Sequence, residues 1–209
     1  FISPYAFNFC RKLRKIQFAE NSELISIGCN SFSETIIQSI TIPSHVTSIG
    51  KEAFYFCNYL KKIEFLNDSE LKSIENSAFS KTGIEYLSIP SSVVDFNERW
   101  CNEISKLKMI SIIPNKDVFI TLYNNNLVLE KSDKKSDIFD NLLFAYRNIQ
   151  NVIIPPFIKR IKSMAFNECY RLNSLKFSNH SELVSIEKFA FYSSSLKTIS
   201  IPKYVEIID

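Results

Sequence analysis

Two alternating intervals govern this chain. Ile2, Ile27, Ile49, Ile74 and Phe96 lie 25, 22, 25 and 22 residues apart, and Ile161, Ile186 and Ile208 resume with 25 and 22. The residues between them keep the same phase. Ile49 to Phe65 reads I-GKE-A-F-YF-C-NY-L-KK-I-E-F, and Ile161 to Phe177 reads I-KSM-A-F-NE-C-YR-L-NS-L-K-F. Ile2 to Phe18 repeats the frame again as I-SPY-A-F-NF-C-RK-L-RK-I-Q-F. Two unlike repeats therefore form a superrepeat of 47 residues. A phase held this long is the mark of a repeat architecture, in which no repeat buries its apolar side alone and stacking makes one continuous core.

The triplet Ile63-Glu64-Phe65 alternates apolar, polar, apolar, as a half-buried strand does. The A-F-x-x-C-x-x-L stretch spaces its apolar residues by three or four, the interval of helical turns. Each repeat is thus expected to run through a strand, a turn and a short helix or 3-10 turn. The fold class is a repeat solenoid with parallel β-strands on one face and short helices or 3-10 turns on the other. Strands are predicted at Ile16–Phe18, Ile40–Ile42, Ile63–Phe65, Leu87–Ile89, Ile110–Ile112, Val152–Ile154, Leu175–Phe177 and Ile199–Ile201. Pro43, Pro90 and Pro202 follow their strands directly and mark where pairing stops. Gly28 and Gly50 follow the opening Ile and suggest a turn there.

Composition narrows the function classes. The chain has 18 Phe but only three glycines, and three scattered glycines cannot supply the Gly-rich phosphate loops of nucleotide-binding folds. A net charge of +3, with no Lys/Arg run longer than two, gives no nucleic-acid signature. The apolar run Val152-Ile153-Ile154 ends at Pro155-Pro156, far short of a membrane span. The chain opens within a repeat, as an excised piece of something longer does.

The frame A-F-x-x-C-x-x-L-x-x-I-x-F followed by I-P-x-x-V-x-x-I resembles the BspA-type leucine-rich repeats. Ile42-Pro43-Ser44-His45-Val46-Thr47-Ser48-Ile49 is a full example of its second half. The resemblance covers about 1–112 and 149–209. It implies a surface protein of mucosal bacteria or anaerobic protists, located at the cell surface or outside it. It also implies adhesion or binding of host matrix proteins, and the family has no catalytic residues to carry over.

Strand triplets keep steps of 23 or 24 residues up to Ile112, and the next clear one is Val152-Ile153-Ile154. The expected organisation is therefore leucine-rich repeats over 1–112, a divergent repeat or β-hairpin insert over 113–148, and repeats again over 149–209. Val118–Tyr123 and Leu127–Leu129 look like strands around Asn124-Asn125-Asn126, where Asn tolerates the positive φ of a tight hairpin.

Residues with catalytic potential are few. His45 and His180 are separated by several repeats, against the convergence a catalytic triad needs. Cys10, Cys57 and Cys169 share one frame position, as a column of small buried hydrophobes would. No C-x-x-C pair supports zinc. Neither a metal, a cofactor nor a catalytic centre is expected. Asn67-Asp68-Ser69 and Asn179-His180-Ser181 are glycosylation acceptors in a secreted protein. The outward strand residues form a column that includes Glu64, Ser88 and Ser111, flanked by Lys62, Tyr86 and Met109. These six are the expected ligand-binding residues, with Tyr86 and Met109 as anchors. The expected partner is a protein or a cell-surface or matrix ligand, with no nucleic acid and no membrane insertion by this segment. The alternative is an intracellular scaffold using the same solenoid. The oligomeric state is left open.

Overall fold

The structure, a computed structural model, describes residues 1–97, 99–104 and 106–209. It divides into an N-terminal body, Phe1–Val118, and a C-terminal body, Phe119–Asp209.

The N-terminal body holds β1 (Ser26–Ile27), β2 (Ser39–Ile42), β3 (Ser48–Ile49), β4 (Lys62–Phe65), β5 (Ser73–Ile74), β6 (Tyr86–Pro90), β7 (Asp95–Phe96) and β8 (Met109–Ile113). They form two parallel sheets, ordered β1-β3-β5-β7 and β2-β4-β6-β8. Each repeat from Ile27 to Ile113 therefore contributes two strands, where the sequence indicated one. The opening Ile is itself a strand residue: Ile27, Ile49 and Ile74 pair in register and point into the core. In the second sheet the alternation is as expected, and Ser39–Ile42 and Lys62–Phe65 both run exposed, buried, exposed, buried. The first predicted triplet, Ile16–Phe18, joins no ladder. One backbone bond, from Gln38 N–H to the Arg14 carbonyl, ties that stretch to its neighbour.

The C-terminal body holds β9 (Ile120–Tyr123), β10 (Leu127–Glu130), β11 (Asn141–Ala145), β12 (Asn151–Ile154), β13 (Arg160–Ile161), β14 (Ser174–Phe177), β15 (Ser185–Ile186) and β16 (Ile207–Ile208). β9, β10 and β11 are antiparallel neighbours. Asn124 and Asn125 turn the β9–β10 hairpin with φ of 48° and 56°. The remaining pairs are parallel. β11 stands in register with β13, Leu142 beside Ile161, so Leu142 takes the place of an opening Ile. β12 pairs with β14, and the last predicted triplet, Ile199–Ile201, is not a strand.

The side opposite the strands contains no helix among the described residues. It is a ladder of turns, and its hydrogen bonds explain why. The amides of Glu52, Phe54 and Phe56 donate to the carbonyls of Asn76, Ala78 and Ser80 in the next repeat. The intervening amides of Ala53, Tyr55 and Cys57 donate back three residues, to Gly50, Glu52 and Phe54. An α-helix would spend every amide within its own repeat and leave the stack unlinked. The alternation requires left-handed residues four apart, and Glu52 and Phe56 have φ of 55° and 59°. Other repeats show the same pair at Tyr5 and Phe9, Ser77 and Lys81, and Met164 and Glu168. For non-glycine residues each such conformation costs on the order of 1–2 kcal/mol, which the inter-repeat bonds offset.

None of the three glycines has positive φ. Gly28 and Gly50 do not make a left-handed turn; they let neighbouring repeats approach. A Cβ on Gly28 would lie 2.6 Å from the Ile2 carbonyl oxygen, and one on Gly50 2.8 Å from the Cys29 nitrogen.

The core is built in columns. Phe7, Phe32, Phe54 and Phe79 stack with ring centroids 5.3, 5.3 and 5.9 Å apart, and Trp100 closes the row edge-on to Phe79 at 6.4 Å. In the C-terminal body Phe166 and Phe191 stack at 5.2 Å. The cysteine position has a reason beyond size. The Cys57 thiol donates to the Phe32 carbonyl at 3.0 Å, and the Cys169 thiol lies 3.7 Å from the Tyr146 carbonyl. Both are buried, whereas Cys10 in the first repeat is exposed. Among the described residues no disulfide joins any two cysteines.

Two consequences are measurable. Phe54 is fully buried between two stacked rings. Phe54→Ala is expected to destabilise by roughly 3–5 kcal/mol in chemical denaturation, and an unchanged midpoint would contradict the column. Burial pushes the Cys57 thiol up to about 11 from 9.0. The folded state then holds this proton where the unfolded chain loses it. Its contribution to stability is full below pH 9 and falls as pH rises toward about 11. The stability advantage of the parent over Cys57→Ser should shrink across that window; a constant difference means the thiol is not buried.

Candidate functional site

The strand face of the second sheet in the N-terminal body is made by alternation: residues flanking each buried Ile point outward. Ile63, Leu87 and Ile110 are buried, so Lys62, Glu64, Tyr86, Ser88, Met109 and Ser111 stand on the other side. Register sets their order. Lys62 lies beside Tyr86, Tyr86 beside Met109, and Ser88 beside Ser111. All six residues singled out from sequence thus share one patch. Tyr86 and Met109 are 54% and 46% exposed and form a contiguous apolar step beside Lys62, Ser88 and Ser111.

The pairing of the strands is uneven. β2 and β4 pair over four residues, and β6 and β8 over five, but β4 and β6 pair only at Lys62↔Tyr86 and Ile63↔Leu87. Beyond that point lies a depression of about 810 Å³. Phe65, Leu66 and Ile113 give it an apolar lining, and Thr41, Glu64 and Ser88 a polar one. Leu66 and Ile113 were not singled out from sequence. They follow their strand triplets, and the repeat frame carries no signal of how far a ladder extends.

Within and beside the patch two cations are locked in pairs. Lys62 Nζ lies 2.5 Å from Glu64 Oε1, and Thr41 Oγ1 donates to Glu64 Oε2 at 3.0 Å. The bond from Lys62, then that from Thr41, holds the Glu64 carboxyl below its ordinary value. Lys108 Nζ donates to Glu85 Oε2 at 2.6 Å, which lowers the Glu85 carboxyl and raises the Lys108 ammonium. The same ammonium sits 5.7 Å from the centre of the Tyr86 ring, within cation–π range. Ser88 and Ser111 hydroxyls lie 2.7 Å apart. The face offers hydrogen-bonding groups around a small apolar centre.

His45 Nδ1 is 3.1 Å from Glu70 Oε1, both exposed, and His180 belongs to the C-terminal body. Among the described residues no group of three His, Cys, Asp or Glu side chains is placed to hold a metal ion. No helix of the described residues is long and apolar enough to cross a membrane. In the two glycosylation triplets the serine is structural. Ser69 and Ser181 accept from the Leu71 and Leu183 amides at 3.4 and 3.3 Å, as Ser22 accepts from Leu24.

Six copies of the BspA-type leucine-rich repeat model match residues 1–124 and 136–209. The chain belongs to this family. No curated protein matches it. Among solved structures, the pneumococcal vaccine antigen PcpA superposes with a TM-score of 0.85 at 24% identity, covering 98% of this chain and 49% of that one. A leucine-rich cell surface protein from Faecalibacterium prausnitzii superposes at 0.63 with 18% identity, covering 100% of this chain and 76% of that one. These likenesses show the fold. This family member spans about half the length of the pneumococcal antigen.

Because Tyr86 and Met109 point away from the core, the double change Tyr86→Ser, Met109→Ser should alter stability by less than about 0.5 kcal/mol. A larger shift of the denaturation midpoint would show that the two side chains are packed.

Proposed function

We propose that this chain is a protein-binding repeat module that engages a cell-surface or matrix partner through its strand face and turns over no small molecule. Lys62, Glu64, Tyr86, Ser88, Met109 and Ser111 form the contact patch. The observation that carries the reading is the Tyr86–Met109 pair: two large, exposed, adjacent apolar side chains, of which Tyr86 lines a depression with hydrogen-bonding walls. Binding energy concentrates on such anchors, while polar surroundings give complementarity.

Location at the cell surface is supported by family membership and by the Faecalibacterium neighbour, whose description names a cell surface protein. The absence of turnover fits a fold whose strand face is an extended surface assembled from many repeats.

The test is binding to a panel of purified extracellular-matrix and cell-surface proteins by surface plasmon resonance. Tyr86→Ser, Met109→Ser is expected to weaken the bound partner tenfold or more, on the order of 1.4 kcal/mol. Parental affinity in the double variant would assign recognition to another surface. On intact cells, a protease that trims the chain supports the surface location; resistance until lysis places it inside.

A further inference from the structure

The 47-residue superrepeat places chemistry on alternate repeats, and one edge of the strand face shows it. Arg14, Lys61 and Lys108 occupy the same superrepeat position. The structure stacks them in one column with Gln38 and Glu85 between. Gln38 N–H donates to the Arg14 carbonyl, Lys61 N–H to the Gln38 carbonyl, and Lys108 N–H to the Glu85 carbonyl. Lys62 lies beside Tyr86 in register, which sets Lys61 beside Glu85. With parallel strands about 4.8 Å apart, the cations of this column recur about every 10 Å. Lys15 and Lys62 stand next to the first two of them, and Lys12 and Lys106 two residues before the first and last.

All seven cations are exposed. Among the described residues two carboxylates pair with them, Glu64 with Lys62 and Glu85 with Lys108, and Glu85 also attracts Lys61 and Lys106 from farther off. Among the described residues Lys12, Arg14, Lys15, Lys61 and Lys106 are in no ion pair. Tyr59, 59% exposed, occupies the superrepeat position of Lys12 and Lys106, and Tyr86, 54% exposed, borders the column.

From this arrangement we infer that the edge of the N-terminal strand face binds a linear sulfated polysaccharide. The spacing selects the polymer. A nucleic-acid strand carries a charge every ~3.4 Å, and an extended acidic peptide one every ~3.3–3.6 Å. Either spreads its charges evenly along the chain, whereas these cations come in groups, Lys12-Arg14-Lys15, Lys61-Lys62 and Lys106-Lys108, with the Gln38 and Glu85 repeats between them. Two linked pyranose rings span about the 10 Å interval, so a glycan that carries a cluster of sulfates on each disaccharide, as heparin does, meets one group of cations per repeat of its own. Tyr59 and Tyr86 supply flat faces on which sugar rings stack. Glu85 is the one carboxylate within the column, and it weakens the middle of the site. The inference shares Lys62 and Tyr86 with the proposed protein contact but does not rest on it, since Arg14, Lys61 and Lys108 lie outside that patch and persist when Met109 is changed.

The test uses the whole chain and heparin oligosaccharides at 0.15 M salt, with single-stranded DNA and a sulfonate cation exchanger as comparisons. The parent should elute from immobilised heparin at higher salt than from the exchanger. Arg14→Gln, Lys61→Gln should weaken heparin binding about tenfold. Lys134→Gln, Lys135→Gln, which removes the same charge from a loop of the C-terminal body, should leave it within twofold. Glu85→Gln should strengthen it about threefold by releasing Lys108. Circular dichroism melts confirm that each variant is folded. The inference is overturned by equal loss in the two lysine or arginine pairs, by no gain from Glu85→Gln, by equal elution from both resins, or by tighter binding of DNA than of heparin.

Discussion

Every second amide on the turn side of a repeat finds its acceptor in the next repeat, and the rest of the structure follows from that dependence. Phe54 N–H reaches Ala78, Phe79 N–H reaches Trp100, and Phe166 N–H reaches Ala190. A repeat by itself would leave these donors open and its Phe exposed on two sides. The Phe rings stack because the backbones above and below them are already tied at the stacking distance. This accounts for the strict part of the frame. From opening Ile to core Phe the interval is five residues in Ile27–Phe32, Ile49–Phe54, Ile74–Phe79 and Ile161–Phe166. An added residue there would exchange the two sets of amides. The difference between 25 and 22 is absorbed mainly in the connection after the strand. One type runs through Ser-Glu-Leu and buries Leu71, and the other runs through Pro-Ser-x-Val and buries Val46 or Val93.

The parts legible in the sequence are those where apolar period and geometry agree. Ile40–Ile42, Ile63–Phe65 and Val152–Ile154 alternate with period two, and a pleated ladder is the structure with that period. The turn side misled for the same kind of reason. Phe54, Cys57 and Leu60 recur at three residues, which a helix and a chain of three-residue turns share. Gly or Asn at the left-handed sites would have separated the two, but apart from Asn30 residues such as Glu52, Phe56, Lys81 and Phe189 hold them. The two-residue opening strands are too short to show an alternation at all. Of the candidate site, the six outward residues followed from period two, whereas the depression beside them depends on where the β4–β6 ladder stops. That is a property of two repeats together, not of either frame.

The same architecture separates stability from recognition. Inward positions are committed to columns that run from repeat to repeat, so a change at Phe54 is felt by Phe32 and Phe79. Outward positions meet only their lateral neighbours. Tyr86 touches the environment of Lys62, Met109 and Lys108, and none of these supports the core. Their ion pairs are exposed and contribute little to folding. The face is therefore free to carry a Tyr-Met step, a hydroxyl pair or a carboxylate without cost to the fold.

That freedom has a grain. Because the backbone alternates long and short repeats, positions on the face are equivalent every second strand rather than every strand. Arg14, Lys61 and Lys108 share one environment, while Gln38 and Glu85 share the other. Substitution by duplication of a two-repeat block would copy both environments together, so a charge pattern on this fold has a natural step of about 10 Å, twice the strand spacing. A partner that is itself periodic at that step gains a contact per period, at no cost in ordering new side chains beyond those already presented. A partner whose charge is spread evenly gains nothing from the regularity. The period of the backbone thus sets which linear ligands the surface can count.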